Sequence, residues 1–304
     1  MKKIYRLQSI VVILLASLLI TGNVKAQEND SIAEAPQKER PARPAFESGL
    51  IFDNATSTIQ PSKTLEMVIQ HRFGTIDNGI SDVYGIMAPS TIRLGFNFSL
   101  LDNLLIGIGS SNNHKMQDIQ AKFNILQQTR SNSIPLTITL YEVIGIDAMA
   151  ETKWGPDYKF ANRLSYFSQV IFARRFNDNI SFQIAPSFTH YNAHIVDTLD
   201  HDRIAISFAG RYKFSPQSSI IVGGDFPLKI QSISEQTETV NEGIENIKPN
   251  ISIGLEVSTS THAFHVYLGS SRLILPQENM MFNENDFFDG TIFLGMNITR
   301  LWGF

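Results

Sequence analysis

Ionisable and amide side chains alternate with apolar ones along several segments, and together they could line a polar interior. Between Thr91 and Leu100, for example, Arg93 and Asn97 are flanked by large apolar residues. Opposite charges on such a face would either pair across an interior and plug it, or line a narrow polar passage. In a passage, the cations expected to set ion selectivity are Arg72, Arg93, Arg211 and Lys213. The complete set expected to line the interior is Glu66, Arg72, Arg93, Lys122, Arg211, Lys213, Asp225 and Glu256.

Two other patterns resemble metal or hydrolase sites, but neither meets the requirements of that chemistry. His190 and His194 have the spacing that shares a metal ion on a helix, whereas four residues of a strand span about 13 Å. The glycine–serine runs at 107–111 and 269–271 lack the GxSxG arrangement of a serine nucleophile. The chain has no Cys, which excludes thiolate ligands and cysteine nucleophiles. We therefore expect no catalytic residue, no metal and no cofactor.

The segments that carry these side chains have a period of two. Between Thr91 and Leu100 every even position is large and apolar, and every odd position is small or polar, which predicts a strand. Most such segments have 10 to 14 residues, longer than the ~5–6 residues usual in soluble sheets and long enough to cross a bilayer at a tilt. The twelve segments are 64–74, 90–100, 103–112, 117–128, 135–146, 161–174, 179–191, 203–214, 218–230, 249–258, 262–272 and 290–304.

The connections between these segments alternate in length. Short turns rich in Asn, Asp, Ser, Thr and Pro are followed by longer connections such as 75–89 and 147–160, with 113–116 as the exception. This alternation is typical of a barrel with tight periplasmic turns at one end and extracellular loops at the other. The sequence thus predicts an all-β fold, a single antiparallel up-and-down transmembrane β-barrel of about 12 strands, within a range of 10–14. Both termini are expected in the periplasm.

The first 26 residues have the features of an export signal. Three basic residues precede an apolar run at 10–20, which is shorter than the ~20 residues that a membrane-spanning helix needs. Small residues at 24 and 26 predict Sec-type cleavage between Ala26 and Gln27. The expected location of the mature chain is the cell outer membrane.

Removal of this signal peptide (1–26) makes the chain more acidic. The segment holds four of the 25 Lys and Arg residues and no acid, so 21 basic and 29 acidic residues remain, a formal net charge of −8. Because nucleic-acid binding needs a basic face, no nucleic-acid partner is expected. Residues 27–45 contain three prolines and many charges and predict a disordered periplasmic linker. The barrel is expected to occupy 46–304.

The C-terminus ends on an aromatic residue at the end of an alternating strand. Its last residues, Leu301-Trp302-Gly303-Phe304, resemble the C-terminal signal of bacterial outer-membrane barrels. We expect Trp302 and Phe304 to be an assembly signal that the barrel-assembly machinery recognises through Phe304. That machinery and outer-membrane lipid are the expected partners.

Three stretches taken together resemble one known family. Residues 46–74 end in HRFG, residues 88–95 have the sequence APSTIRLG, and residues 102–109 have the sequence DNLLIGIG, followed by KMQD at 115–118. In this order they are similar to a Bacteroidetes family of outer-membrane β-barrels catalogued as the domain of unknown function DUF5777. The resemblance implies the fold and the location, and it assigns no ligand and no catalytic residue.

These observations leave two main functions open. The first is an integral outer-membrane barrel that acts as a narrow small-solute channel or passive transporter. The second is a non-conducting structural or interaction barrel, and an outer-membrane hydrolase is a less favoured third. Twelve strands lie between the filled barrel of eight and the water-filled porin of sixteen, so the strand number does not choose between an open and a plugged lumen.

Overall fold

The computed structural model describes residues 39–193, 200–228, 230 and 247–304. The predicted signal peptide, residues 27–38 of the predicted linker and His194 lie outside the described residues. The described part contains a two-stranded hairpin and a closed barrel of twelve antiparallel strands. The hairpin strands are β1 (Leu50–Ile51) and β2 (Asn54–Ala55). The barrel strands are β3 (Thr64–Thr75), β4 (Thr91–Leu101), β5 (Leu104–Ser111), β6 (Gln117–Leu126), β7 (Thr137–Ile146), β8 (Leu164–Arg175), β9 (Ile180–Tyr191), β10 (Asp202–Lys213), β11 (Ser218–Leu228), β12 (Asn250–Ser258), β13 (His262–Gly269) and β14 (Phe293–Gly303).

The predicted fold class and strand number are confirmed. Each barrel strand pairs with its neighbours in sequence, and β14 closes the barrel by pairing with β3, with Ile298 opposite Ile69. The differences lie at strand ends. The predicted strand 161–174 begins at Leu164 because residues Phe160–Arg163 form a turn of 3-10 helix.

The connections fall at two ends of the barrel. We call the end that carries Thr64 and Phe304 the lower rim, and the opposite end the upper rim. The lower rim has the connections 102–103, 127–136, 176–179, 214–217 and 259–261. The upper rim has 76–90, 112–116, 147–163 and 270–292, together with the connections that follow β9 and β11. Most of the longer connections therefore share the upper rim, and 127–136 at the lower rim is an exception.

Short helices occur only in upper-rim connections among the described residues. The α-helix α1 (Pro276–Phe282) begins with Pro at its first turn, where the missing N–H costs no hydrogen bond. The 3-10 turns are Ile76–Asp82, Asn113–Lys115, Glu151–Trp154 and Phe160–Arg163. No helix in the described ranges is long and apolar enough to span a bilayer.

The alternation of each strand separates an apolar outer surface from a polar interior. Phe96, Phe208 and Ile253 point outward, and Ile253 keeps 47% of its surface exposed. Arg93 and Asn97, on the same strand as Phe96, point inward and are buried. Large apolar side chains cover the outside of the barrel from strand to strand, and such a continuous exposed patch requires lipid or another apolar partner.

Glu142 is an exception within this apolar surface. It lies in the middle of β7 on the outward face, directly opposite Ser168 of β8, whose hydroxyl donates a 2.5 Å hydrogen bond to Glu142 Oε2. A polar or charged group on the lipid side of a barrel destabilises it, most strongly near the middle of the bilayer. The hydrogen bond to Ser168 offsets only part of this cost.

We expect Glu142→Leu to stabilise the barrel. Removing the carboxyl from the lipid-facing surface should raise the free energy of unfolding in urea and lipid vesicles by about 1–2 kcal/mol. The matched control is Leu140→Glu, two residues away on the same face, which should lower it by a similar amount. A loss of stability in Glu142→Leu would contradict the expected cost of a carboxyl on the lipid-facing surface.

Candidate functional site

The lumen is filled by a segment that precedes the first barrel strand. We call residues 46–63 the plug. It enters from the lower rim, reverses at Phe52 and Asp53 in the hairpin of β1 and β2, and returns to Thr64 at the same rim. Phe46, Ile51 and Phe52 are almost completely buried inside the barrel. The sequence does not predict this role, because the plug has only two-residue strands and no long alternation.

The hairpin turn of the plug is held by contacts with the barrel wall. Phe52 has φ of +56°, a left-handed conformation that is unfavourable for a bulky residue. Its ring centroid lies 4.7 Å from that of Tyr267 on β13, and its carbonyl accepts hydrogen bonds from wall amides. Tertiary packing therefore determines the turn, rather than local preference.

An ion pair joins the tip of the plug to the wall. Arg72 Nη2 lies 2.5 Å from Asp53 Oδ2, and the Arg72 side chain is 0% exposed. The guanidinium also lies over the Tyr267 ring, 4.8 Å from its centroid. Asn250 Nδ2 lies 3.4 Å from the same carboxylate oxygen. Burial raises the pKa of the Asp53 carboxyl above its ordinary value, and the adjacent Arg72 opposes that rise.

Side chains of the wall also satisfy the backbone of the plug. Long amide and ammonium groups reach inward and donate hydrogen bonds to plug carbonyls, which could not pair with water in this position. The donors are Asn297 (2.7 Å to Phe52 O), Gln70 (3.4 Å to Phe52 O), Gln183 (2.7 Å to Ala55 O) and Lys122 (2.5 Å to Gly49 O and 3.3 Å to Thr56 O).

A second ionic contact holds the plug near the lower rim. Glu47 Oε1 lies 2.9 Å from Arg211 Nη2 and 3.3 Å from Lys213 Nζ. Arg211 also pairs with Glu256 of β12, with 2.7 Å between Nε and Oε1. The other oxygen of Glu256 lies 3.2 Å from His265 Nε2. The plug is thus bound by charge at both its tip and its base.

Other lumen charges pair within the wall. Arg93 donates to both oxygens of Asp118, at 2.9 and 2.6 Å, and to Gln70 Oε1 at 2.9 Å. Glu66 accepts a 2.9 Å hydrogen bond from an Asn97 amide. These contacts do not involve the plug, so they can persist without it.

The upper opening is covered by α1 and the residues before it. A cavity of about 30 Å³ remains between residues 274–276 and the plug, lined also by Gln70, Arg93, Lys122 and Tyr141. A cavity of this size holds no more than about two water molecules. The plug and the residues before α1 therefore leave little free space in this part of the lumen.

A buried carboxyl lies on α1. Glu278 is 2% exposed, and its Oε1 accepts a 2.6 Å hydrogen bond from Asn113 Nδ2. Burial raises the pKa of Glu278 to about 7, and the nearby carboxylates of Asp147 and Asp118 add to the rise.

All eight residues predicted to line the interior point into the barrel. Lys213 is partly exposed at the lower rim and the others are buried. Arg72, Lys122, Arg211 and Lys213 contact the plug, and the other four contact side chains of the wall, which is the plugged alternative rather than the open passage. The partners that sequence analysis missed are Glu47 and Asp53 on the plug, Asp118, His265 and Tyr267 on the wall, and Glu278 on α1.

The predicted assembly residues lie at the end of β14 with few contacts. Trp302 points outward beside Arg300, whose guanidinium lies 5.0 Å from the ring centroid. Phe304 keeps 79% of its surface exposed, and its backbone N–H donates to Lys63 O. Across the described ranges, no three His, Asp or Glu side chains meet in an arrangement that could hold a metal ion.

The family of proteins described as "Membrane bound beta barrel domain (DUF5777)" matches residues 46–302. The chain belongs to this family. The DUF5777 match begins at residue 46, so it includes the plug together with all twelve barrel strands. The closed barrel and the membrane-bound family support an outer-membrane location.

Several solved structures are similar to this DUF5777 chain, all at low sequence identity. The NanC porin is 9% identical, with 79% of this chain and 99% of that chain covered and a TM-score of 0.48. An outer-membrane channel from Pseudomonas putida F1 is 13% identical, with 81% and 97% covered and a TM-score of 0.45. The KdgM porin is 7% identical, with 79% and 99% covered and a TM-score of 0.43. No curated protein matches the chain.

The raised pKa of Glu278 predicts that α1 is held less firmly as the pH rises. The protonated carboxyl is favoured in the docked helix, so docking is strongest below about pH 4.5, the ordinary pKa, and weakens until about pH 7. The total change is roughly 3 kcal/mol. Amide hydrogen exchange of residues 277–282, corrected for intrinsic rates, should show decreasing protection across this window.

Glu278→Gln supplies the control for this pH dependence. The amide keeps an acceptor for Asn113 but does not titrate, so protection of α1 should stay constant between pH 4.5 and 7. An identical pH dependence in Glu278→Gln and the natural protein would show that another group is responsible.

Proposed function

We propose that this DUF5777 protein is an outer-membrane channel for small solutes, closed by its own plug. The observation that carries the proposal is the connectivity of the plug. It enters and leaves the lumen at the lower rim, and β1 and β2 pair only with each other among the described residues. The plug can therefore withdraw as a loop without breaking any strand pairing of the barrel.

The chemistry of the wall supports a lumen that can become wet. The wall contacts the plug through ion pairs and side-chain hydrogen bonds, as at Arg72, Lys122 and Arg211. These groups can exchange a plug partner for water, whereas an apolar wall would resist hydration. The two states therefore differ by an exchange of polar partners inside a barrel that keeps its strands.

The plug is anchored at the lower rim by the residues before it. Pro41 forms a β-bridge with Thr129, and Ala42 N donates a 2.7 Å hydrogen bond to Gln128 O. These contacts hold the chain beside the opening and leave the length from 46 to 63 between two fixed points. Such an arrangement allows the plug to move in and out of the lumen repeatedly.

The alternative is a non-conducting structural barrel in which the plug is a permanent core. This alternative is supported by the many hydrogen bonds and ion pairs that the side chains of the wall make with the plug. An enzyme is less well supported, because the polar side chains of the lumen hold the plug and α1. We therefore propose transport without catalysis. An experiment that fixes the plug covalently inside the lumen distinguishes the channel from the structural barrel.

A reversible disulfide can test whether plug movement opens the lumen. A Cβ atom added at Gly223 would lie 3.1 Å from the Phe52 ring, and the chain has no Cys of its own. In Phe52→Cys/Gly223→Cys, removal of the ring makes room for a disulfide. The oxidised protein should show no openings in a planar bilayer, and reduction should restore discrete current steps.

The bilayer current of each single-cysteine variant should not change when the reductant is added. Equal current from the oxidised and reduced double variant would show that the plug is not the gate. Absence of current from the reduced variant and the natural protein alike would favour the structural barrel.

We also propose that residues 1–26 direct export, that cleavage follows Ala26, that the lower rim faces the periplasm and that Phe304 is the assembly signal. The segregated connections support this orientation. An epitope tag beside Gly155 at the upper rim should be labelled on intact cells, and one beside Pro216 only after permeabilisation. The reverse pattern would invert the orientation.

A further inference from the structure

The two carboxylates of the plug occupy positions that a solute could take in the open lumen. Asp53 contacts Arg72 near the upper rim, and Glu47 contacts Arg211 and Lys213 near the lower rim. Both positions are lined by cations that belong to the barrel strands. An inference from these contacts rests on the proposed channel function and deepens it by naming a class of solute.

The cations of the wall differ in whether they keep a carboxylate partner when the plug leaves. Arg93 keeps Asp118, and Arg211 keeps Glu256, because these partners are on the wall. Among the described ion pairs, Arg72 contacts only Asp53 and Lys213 contacts only Glu47. Withdrawal of the plug therefore exposes one uncompensated cation near each rim.

Withdrawal of the plug also makes the lumen more positive. The plug carries the carboxylates of Glu47 and Asp53, which leave with it. The buried charges of the barrel strands balance one another among the described residues, and Lys213 adds a cation near the lower rim. In a narrow passage with low-dielectric walls, an excess of positive charge attracts anions strongly. The buried charges of the strands are Arg72, Arg93, Lys122 and Arg211, against Glu66, Asp118, Asp225 and Glu256.

Arg72 has donors that the closed state does not use. Its Nε and Nη1 groups are buried and have no hydrogen-bond partner in the part of the chain that the structure describes, while Nη2 contacts Asp53. Tyr267 fixes the plane of the guanidinium from one side. A guanidinium held in this way presents parallel donors that match the two oxygens of a carboxylate. A free carboxylate can thus accept hydrogen bonds from more of the Arg72 N–H groups than Asp53 does.

We propose that small carboxylate-bearing solutes bind the open lumen at Arg72, in place of Asp53, and pass the cations at Arg211 and Lys213. The solute and the plug then compete for the same cations. Because only the open state can bind the solute, the solute shifts the population towards that state. The passage is selective for anions for the same reason.

Planar-bilayer recordings of the full-length protein test both consequences. The reversal potential in a KCl gradient should give an anion/cation permeability ratio above one. Acetate should raise the open fraction relative to chloride at equal ionic strength. Acetamide, its neutral isostere, should have no such effect. These probes share size and shape, so charge alone separates them.

Substitutions separate the wall from the plug. Arg72→Gln should lower the anion/cation permeability ratio about twofold or more and abolish the effect of acetate, because the exposed cation is lost. Glu47→Gln/Asp53→Asn should open more often and keep the anion preference of the natural protein, because its wall is unchanged. Lys153→Gln removes an exposed charge of the upper rim and should behave like the natural protein.

Each outcome decides one of the two proposals. Openings that are unselective or cation-selective, or an equal response to acetate and acetamide, would overturn the carboxylate site and leave the channel intact. Persistence of the acetate effect in Arg72→Gln would also overturn it. Absence of openings in every protein and solution would overturn the channel and the carboxylate site together.

Discussion

The buried contact between Arg72 and Asp53 shows the constraint on which the lumen depends. A charge enclosed in a barrel must have a partner, and removing one member of a buried pair costs about 3–5 kcal/mol. Arg72 has no carboxylate partner on the wall among the described ion pairs, so its charge is compensated by the plug. The wall and the plug therefore stabilise one another, and neither is satisfied alone in a dry interior.

The same constraint is compatible with the proposed channel, in which one sequence supports a closed and an open lumen. The plug supplies carbonyl and carboxylate oxygens at Lys122, Arg72 and Arg211, and water or a solute supplies oxygens in their place. The net free energy of such an exchange is small compared with its component interactions, since hydrogen bonds are traded rather than lost. Strand pairing in β3–β14, by contrast, is the same in both states because the plug adds no strand to the barrel.

The sequence predicts the barrel well because its signal is local. Alternation within ten residues identifies β4 and places Arg93 and Asn97 inside. The plug is not predictable in this way, since its contacts join residues far apart: Asp53 and Arg72 are 19 positions apart, and Glu47 and Arg211 are 164 apart. Sequence patterning thus identifies which face is polar, but only the closed barrel determines which charges meet.

Of the four cations suggested by sequence as selectivity residues, Arg72, Arg211 and Lys213 contact carboxylates of the plug. These roles are compatible when the gate and the solute have the same chemistry, because a cation that binds a plug carboxylate also binds a carboxylate in solution. A gate of this kind needs no separate sensor. The solute supplies the free energy of opening through its preference for the unplugged wall, and that preference limits how far the population can shift. In the proposed channel, Arg72 therefore controls both selectivity and gating, whereas Asp53, which leaves with the plug, affects gating alone.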